Sequence, residues 1–378
     1  MYTYDQRFSV QLKASASHFN YWIMSLTTLS KEQKKKLERL FKKRALKPTL
    51  VQILTDVRKQ QTKEERKEIV VKKGMSYANL AENISICLKN GWLTEKQITE
   101  TLSDAEIAGN QHIFLFKFGK NDTERSNFLA ALSDPSGKKG KPESIRHFFD
   151  VPNTSMIEVI SASAAEVTLR LVAKSVYWTK EELAAPSPDK RLFEWTRHQE
   201  RVAIIIRASK TSKLIQFRIP PNQTGSARGP KSNLEFLKNC LGAHFDVSAA
   251  DGWYRNLEEI SLGDTFPHLI TDRAFLKSLW SDTPENREIL SSIRQKGRPK
   301  PDNDLRDNPD WHFDKGYARK SLSGFFSKTT TAALLYLKLY ADKIGPAGSK
   351  KKVARIVVTK SCADADIENA IRKIHSHV

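Results

Sequence analysis

The acid-rich run PDNDLRDNPDWHFD, at 301–314, holds the residue types most able to do chemistry. It sets Asp302, Asp304, Asp307, Asp310 and Asp314 close together, with His312 among them. Clustered carboxylates can hold Mg²⁺ or Mn²⁺, and the bound ion can activate water for phosphodiester cleavage. Asp302, Asp304, Asp310 and His312 are the candidate ligands on that reading. The calcium-loop pattern is not met. Counting from Asp302, Arg306 stands fifth, Asp307 takes the place of glycine, and the twelfth residue is Phe313. Acids in a Pro- and Asn-rich loop serve commonly as turn formers, so no metal, cofactor or catalytic residue is assigned. A metal-dependent nuclease using 302–314 is kept as the alternative.

Other catalytic signatures are absent. The histidines form no HExxH pair, and no serine sits in a GxSxG elbow. DPSGKKGKPES, at 134–144, lacks the four-residue gap before Gly-Lys-Ser/Thr that cradles a phosphate. Cys87, Cys240 and Cys362 are too far apart for a zinc module, and their odd, sparse number argues for a reducing compartment. With no apolar leader and no apolar run of membrane length, the sequence predicts a soluble, cytoplasmic protein.

Charge is the outlier. Lys and Arg number 63 against 43 Asp and Glu, a net of +20. Residues 31–75 carry 16 basic and 6 acidic side chains, and residues 315–360 carry 11 and 1, so each block nets +10 and the remainder balances. Clustered charge adds locally, whereas scattered charge is screened within ~10 Å. Two basic blocks on a neutral background suit a polyanion. In the first block, residues 41–50 hold four basic residues and no acid, unlike an ordinary surface helix that interleaves Glu and Lys. Lys35, Lys36, Arg39, Lys42, Lys43 and Arg44 are its candidate phosphate contacts. Arg319, Lys320, Lys350, Lys351 and Lys352 are those of the second. There Tyr317, Phe325 and Phe326 interleave with cations, a pattern that serves either base stacking or a core.

Between the blocks, KGRPK at 296–300 resembles an AT-hook, the short strip that enters the A·T minor groove. The resemblance covers five residues in a single copy, with Lys296 where the first arginine of the element stands. It implies Arg298 as a groove reader beside Lys296, because arginine seeks the enhanced negative potential there.

The elements that must position these residues follow from periodicity. Helices are predicted at 31–44, at 50–59 beyond Pro48, at 77–89 with Asn90-Gly91 as the stop, and from Thr94, where Gln97 completes a capping box. HIFLFKF, at 112–118, reads as a strand. Helices followed by a strand fit a winged helix-turn-helix or a small bundle. Residues 119–155 read as loop or linker. Strand 166–178 and a hairpin at 201–221 make the middle β-rich, with a helix at 232–242 behind them. The last third is predicted to hold helices near 272–280 and 327–343, a strand at 353–359 and a terminal helix.

Together these predict an α+β fold: a helical N-terminal region (1–120), a linker (121–150), a β-rich region (151–245) and a basic mixed α/β region (246–378). The central antiparallel sheet is expected to carry helices on one side. The functional expectation is nucleic-acid binding, DNA favoured over RNA, by a non-enzymatic subunit that also has a protein partner or a second copy and makes no membrane contact. A bacterial genome-maintenance or anti-phage complex fits the composition. Docking to an acidic protein is the remaining alternative.

Overall fold

The computed structural model describes residues 29–43, 46–72, 74–135, 144–187, 190–220, 257–260, 265–279, 304–307, 321–328, 334–343, 352–358 and 362–376, with the single residues 244 and 262. Over these residues the chain is α+β, combining helices with one large antiparallel sheet.

Four helices open the described chain: α1 (Lys31–Lys43), α2 (Lys47–Gln60), α3 (Tyr77–Lys89) and α4 (Glu95–Ala108). Pro48 stands in the first turn of α2, where its missing N–H costs nothing, so the break expected there is also a helix start. Ser76 accepts a hydrogen bond from the Asn79 N–H and caps α3. The predicted capping box of α4 forms, with Thr94 and Gln97 satisfying each other's backbone N–H groups. Gly91 follows α3 at φ +72°, the left-handed conformation that glycine enters without a Cβ penalty. Leu37 and Phe41 of α1, Leu50 and Leu54 of α2, Leu80 and Ile84 of α3, and Ile98 and Leu102 of α4 close a common core. No described helix is long and apolar enough to cross a membrane.

The strands are β1 (Gln111–Phe118), β2 (Met156–Ala162), β3 (Glu166–Ser187), β4 (Lys190–Ser209), β5 (Leu214–Ile219), β6 (Leu257–Glu259), β7 (Leu276–Leu279), β8 (Ser321–Ser327), β9 (Leu334–Lys343) and β10 (Lys352–Val358). They form one sheet in the order β2-β3-β4-β5-β1-β10-β9-β8-β7, with β6 pairing the end of β1. The HIFLFKF strand is therefore no wing. It lies mid-sheet, Phe114 opposite Phe217 of β5 on one side and Arg355 of β10 on the other.

Because side chains alternate along a strand, β1 feeds two cores. Phe114, Phe116 and Phe118 join Leu169, Ile204, Ile206 and Phe217 under α5 (Asp122–Ser133), which contributes Leu129 and Leu132. Ile113 and Leu115 face the other way, toward α6 (Phe266–Thr271) and α7 (Asp364–His375), where Phe266, Ile367 and Ile371 are buried.

Three sequence expectations change. The loop expected at 119–155 contains α5, capped by Asn121, and a 3-10 turn at Ile145–Phe148. The helix expected at 327–343 is strand β9: Leu335, Leu337 and Leu339 are buried while Tyr336 and Lys338 between them are half-exposed, a period of two. The helix expected near 272–280 gives way to α6, which ends at Thr271, and to β7. The hairpin at 201–221, the strand at 353–359 and the terminal helix match β4–β5, β10 and α7. The helix expected at 232–242 lies outside the described residues.

β3 and β4 pair from Glu166↔Ser209 out to Ser187↔Lys190. β2 accompanies β3 only as far as Val172, and β5 meets β4 only from Ile205 onward. Beyond those points the hairpin is a two-stranded arm. At about 3.3 Å per residue it runs roughly 45 Å past the neighbouring strands.

Candidate nucleic-acid interface

Burying Leu37 and Phe41 against α3 fixes which side of α1 meets solvent. At 100° per residue, positions 31, 35, 39 and 42 fall within an arc of about 80°, and at 1.5 Å per residue they extend about 16 Å. Lys31, Lys35, Arg39 and Lys42 are all exposed there, and no ion pair among the described residues engages them. The flanking cations are tied down. Lys34 meets Glu82 of α3 at 2.8 Å, and Lys36 meets Glu32 one turn back at 3.2 Å. Of the expected contacts in this block, Lys35, Arg39 and Lys42 thus stand open and Lys36 is paired. Lys43 ends α1, with its side chain outside the description, as is Arg44.

Other cations of the block have local duties. Lys59 pairs with Asp56 at 3.3 Å, Lys47 lies 5.9 Å from the Tyr77 ring centre, and Arg66 donates to the carbonyls of Gln61 and Lys59.

The second block is described only in part. Lys296, Arg298, Arg319, Lys320, Lys350 and Lys351 lie outside the described residues, and so does Tyr317. Lys352 begins β10 opposite Lys343 of β9. Lys328 is 3.8 Å from Asp366 of α7. Phe325 and Phe326 belong to the core: Phe326 lies 5.0 Å from Phe275 and Phe325 5.0 Å from Tyr336, ring centre to ring centre. Neither is open to a base. α1 packs on α3, whereas β9 and β10 pair with each other within the sheet, so the described parts of the two blocks belong to different elements.

Asp304 is the one member of the proposed ligand set within the described residues. Its carboxylate accepts from the Arg306 guanidinium at 2.9 and 3.0 Å and from the backbone N–H groups of Leu279 and Arg306. Burial acts to raise this carboxyl, but Arg306 overrides it and holds Asp304 below the ordinary carboxylate range. Arg306 in turn donates to the carbonyls of Ile270 and Leu276. The pair is a clamp on β7. Asp302, Asp310 and His312 lie outside the described residues, and among the described ones no three His, Cys, Asp or Glu gather around a common point. Burial pushes the Cys87 thiol up to about 12 and the Cys362 thiol up to about 11, so neither is a thiolate at neutral pH.

Two features escape the sequence reading. The first is a set of arginines on the sheet face opposite α5. Arg170 reaches Glu106 of α4 at 3.3 Å and Glu158 of β2 at 2.9 Å, and Arg201 pairs with Glu106 as well. Arg207 meets Glu166 and Asp364, each at 2.7 Å, and Arg218 meets Asp364 at 2.6 Å and also Glu368. Burial works to raise the Asp364 carboxyl, and Arg218 and Arg207 override it to leave Asp364 low. These arginines dock α4 and α7 onto the sheet, each matched with at least one Glu or Asp.

The second is the arm. Trp178 is 57% exposed, Trp195 58% and Phe193 38%, in a chain whose other large apolar side chains are, with Val70 apart, mostly covered over the described residues. Their signal is present in RLFEWTRHQE, where Phe193, Trp195 and Arg197 alternate with polar residues and so share one face of a strand.

No protein-family model matches the chain, and no match to it is found among curated proteins or solved structures.

Proposed function

We propose that the chain binds nucleic acid, DNA in preference to RNA, through the phosphate backbone, with the outer face of α1 as the primary contact. The observation that carries this reading is the row Lys31, Lys35, Arg39 and Lys42, exposed together and engaged by no acid among the described residues. Cations held in a row on a rigid helix displace condensed counterions wherever they meet successive phosphates, the largest sequence-independent contribution to affinity. Residues 315–360, with their net of +10, supply the further contacts. The contrast with the arginines under α4 and α7 supports the assignment. Where cations serve the fold they are matched with Glu or Asp, as Lys34 and Lys36 of α1 also are. In the outer row Lys31, Lys35, Arg39 and Lys42 make no ion pair among the described residues.

Titration of a labelled duplex against salt tests it. If ~5–8 phosphates are neutralised, log K falls against log salt with a slope of about −4 to −7. Lys35→Glu/Arg39→Glu/Lys42→Glu flattens that slope by about 3, at positions where a helix surface tolerates the change. A flat salt dependence in the native chain, or a triple variant that binds with the native slope, refutes the reading. Displacement of DNA by an acidic protein at moderate ionic strength points instead to protein docking.

A further inference from the structure

We infer that one face of the β3–β4 arm is a stacking platform for single-stranded nucleic acid, a proposal that rests on the nucleic-acid reading above and adds where bases are held. Residues opposite each other in an antiparallel ladder project to the same side. The register pairs Trp178 with Arg197, Lys180 with Trp195 and Glu182 with Phe193. Trp178, Trp195 and Phe193 therefore share a face, and Arg197 and Lys174 share it with them.

Charge divides between the two sides. Between Ala173↔Val202 and Leu183↔Leu192 the register puts Lys174, Lys180, Arg197 and Arg201 at positions of the aromatic face with one acid, Glu182. It puts Glu181, Glu194 and Glu200 at positions of the opposite face with no Lys or Arg. A surface for an apolar protein segment has no need of this division. A surface for a polyanion whose bases need aromatic platforms has.

Spacing agrees. Phe193 and Trp195 are two residues apart on one strand, roughly 6.6 Å, and Trp178 lies diagonally from Trp195, roughly 7–8 Å away. Those steps are about twice the 3.4 Å per nucleotide of a stacked strand. An unstacked strand can thus place a base against each ring, with Arg197 and Lys174 beside the backbone. The arm is narrow and reaches past the rest of the sheet, so the strand approaches without meeting other elements of the sheet.

The test compares three proteins on labelled oligo(dT), oligo(U) and duplex: the native chain, Trp178→Ala/Phe193→Ala/Trp195→Ala, and Lys35→Glu/Arg39→Glu/Lys42→Glu. The arm variant should lose single-strand affinity about ten-fold or more with an unchanged salt slope, because stacking and not charge is removed. Its duplex binding should stay within about two-fold of native. Trp178→Phe/Trp195→Phe, which keeps the rings, should restore most of the loss and guards against misfolding as the cause. Equal losses on oligo(dT) and oligo(U) identify the base face as the feature read, and a loss on one alone assigns the platform to that polymer. An arm variant that binds single strands as the native chain does, while the α1 variant loses affinity, overturns this inference and leaves the α1 reading standing. The reverse pattern overturns the α1 reading and leaves the platform. Sedimentation that shows native dimers dissolved by the arm substitutions, with oligonucleotide binding intact, assigns the face to a second copy and also overturns the inference.

Discussion

Glu106 of α4 and Arg170 of β3 meet at 3.3 Å with each side chain about 1% exposed, and the same carboxylate also serves Arg201. One carboxylate therefore joins two buried guanidinium groups at the junction of helix and sheet, with Glu158 as a second partner of Arg170. Removing one member of a buried pair leaves an uncompensated charge at a cost of about 3–5 kcal/mol. Glu106→Gln should lower stability by about that amount in urea unfolding. Glu106→Asp, which keeps the charge on a shorter stem, should cost less. A Gln variant within about 0.5 kcal/mol of native shows that Glu158 and water suffice for both arginines.

His112 on β1 offers a pH prediction. Burial, and then the neighbouring Arg355, press its imidazole down to about 4, and its Nδ1 finds no hydrogen-bond partner within the described structure. In the unfolded chain it takes up a proton near its ordinary value of 6.5. A base depressed in the folded state contributes stability that is complete above 6.5 and lost as pH falls toward 4. The loss across that window is about 3 kcal/mol. His112 stands opposite Ile219 and Val357, so His112→Leu is accommodated, and it should flatten the stability profile between pH 6.5 and 4. Parallel profiles for the two proteins would assign the acid sensitivity elsewhere.

Gly324 of β8 lies where a Cβ would collide with the Ser278 carbonyl oxygen of β7. Gly324→Ala forces the edge strand outward, and overpacking of this kind costs about 1–3 kcal/mol. Hydrogen exchange should rise on β7 and β8 and stay native on β1 and β5. A native exchange pattern at β7 would show that the backbone shifts freely there.

The Asp304–Arg306 clamp separates structure from chemistry. Asp304→Asn should destabilise the chain, because Arg306 is buried and loses its carboxylate, by about 2–3 kcal/mol. If the variant is as stable as the native chain yet abolishes an Mg²⁺-dependent cleavage, Asp304 is a ligand and the clamp is incidental.

Much of the fold was legible where one periodicity ruled alone. Leu37 and Phe41 are one turn apart, and Thr94 and Gln97 fit a capping box. β9 misled because LLYLKLY satisfies a helical stripe nearly as well as alternation, and only pairing with β8 and β10 decides between them. α5 was missed because its burial is thin, resting on Leu129 and Leu132 with Arg125 beside them. The buried arginines were illegible for another reason. Arg170 and Arg218 read as the polar side of an alternating strand, and it takes Glu106, Asp364 and Glu368 from distant helices to make that side an interior. Of the candidate interface, the charge of α1 and the i,i+4 spacing of Glu32 and Lys36 were readable, but the pairing of Lys34 depends on where Glu82 of α3 comes to rest.

The sheet order sets a schedule for synthesis. β1 is made early, yet its partner on one side is β10, near the C-terminal end of the chain. Until residues 352–358 leave the ribosome, Gln111–Leu115 of β1 has a bare edge of unpaired amides and carbonyls on an apolar strand. Pairing so distant in sequence is slow to form. Nascent chains halted before β10 should accordingly bind chaperones that the finished protein ignores, and a stop codon ahead of residue 352 should yield aggregate in place of a shorter soluble domain.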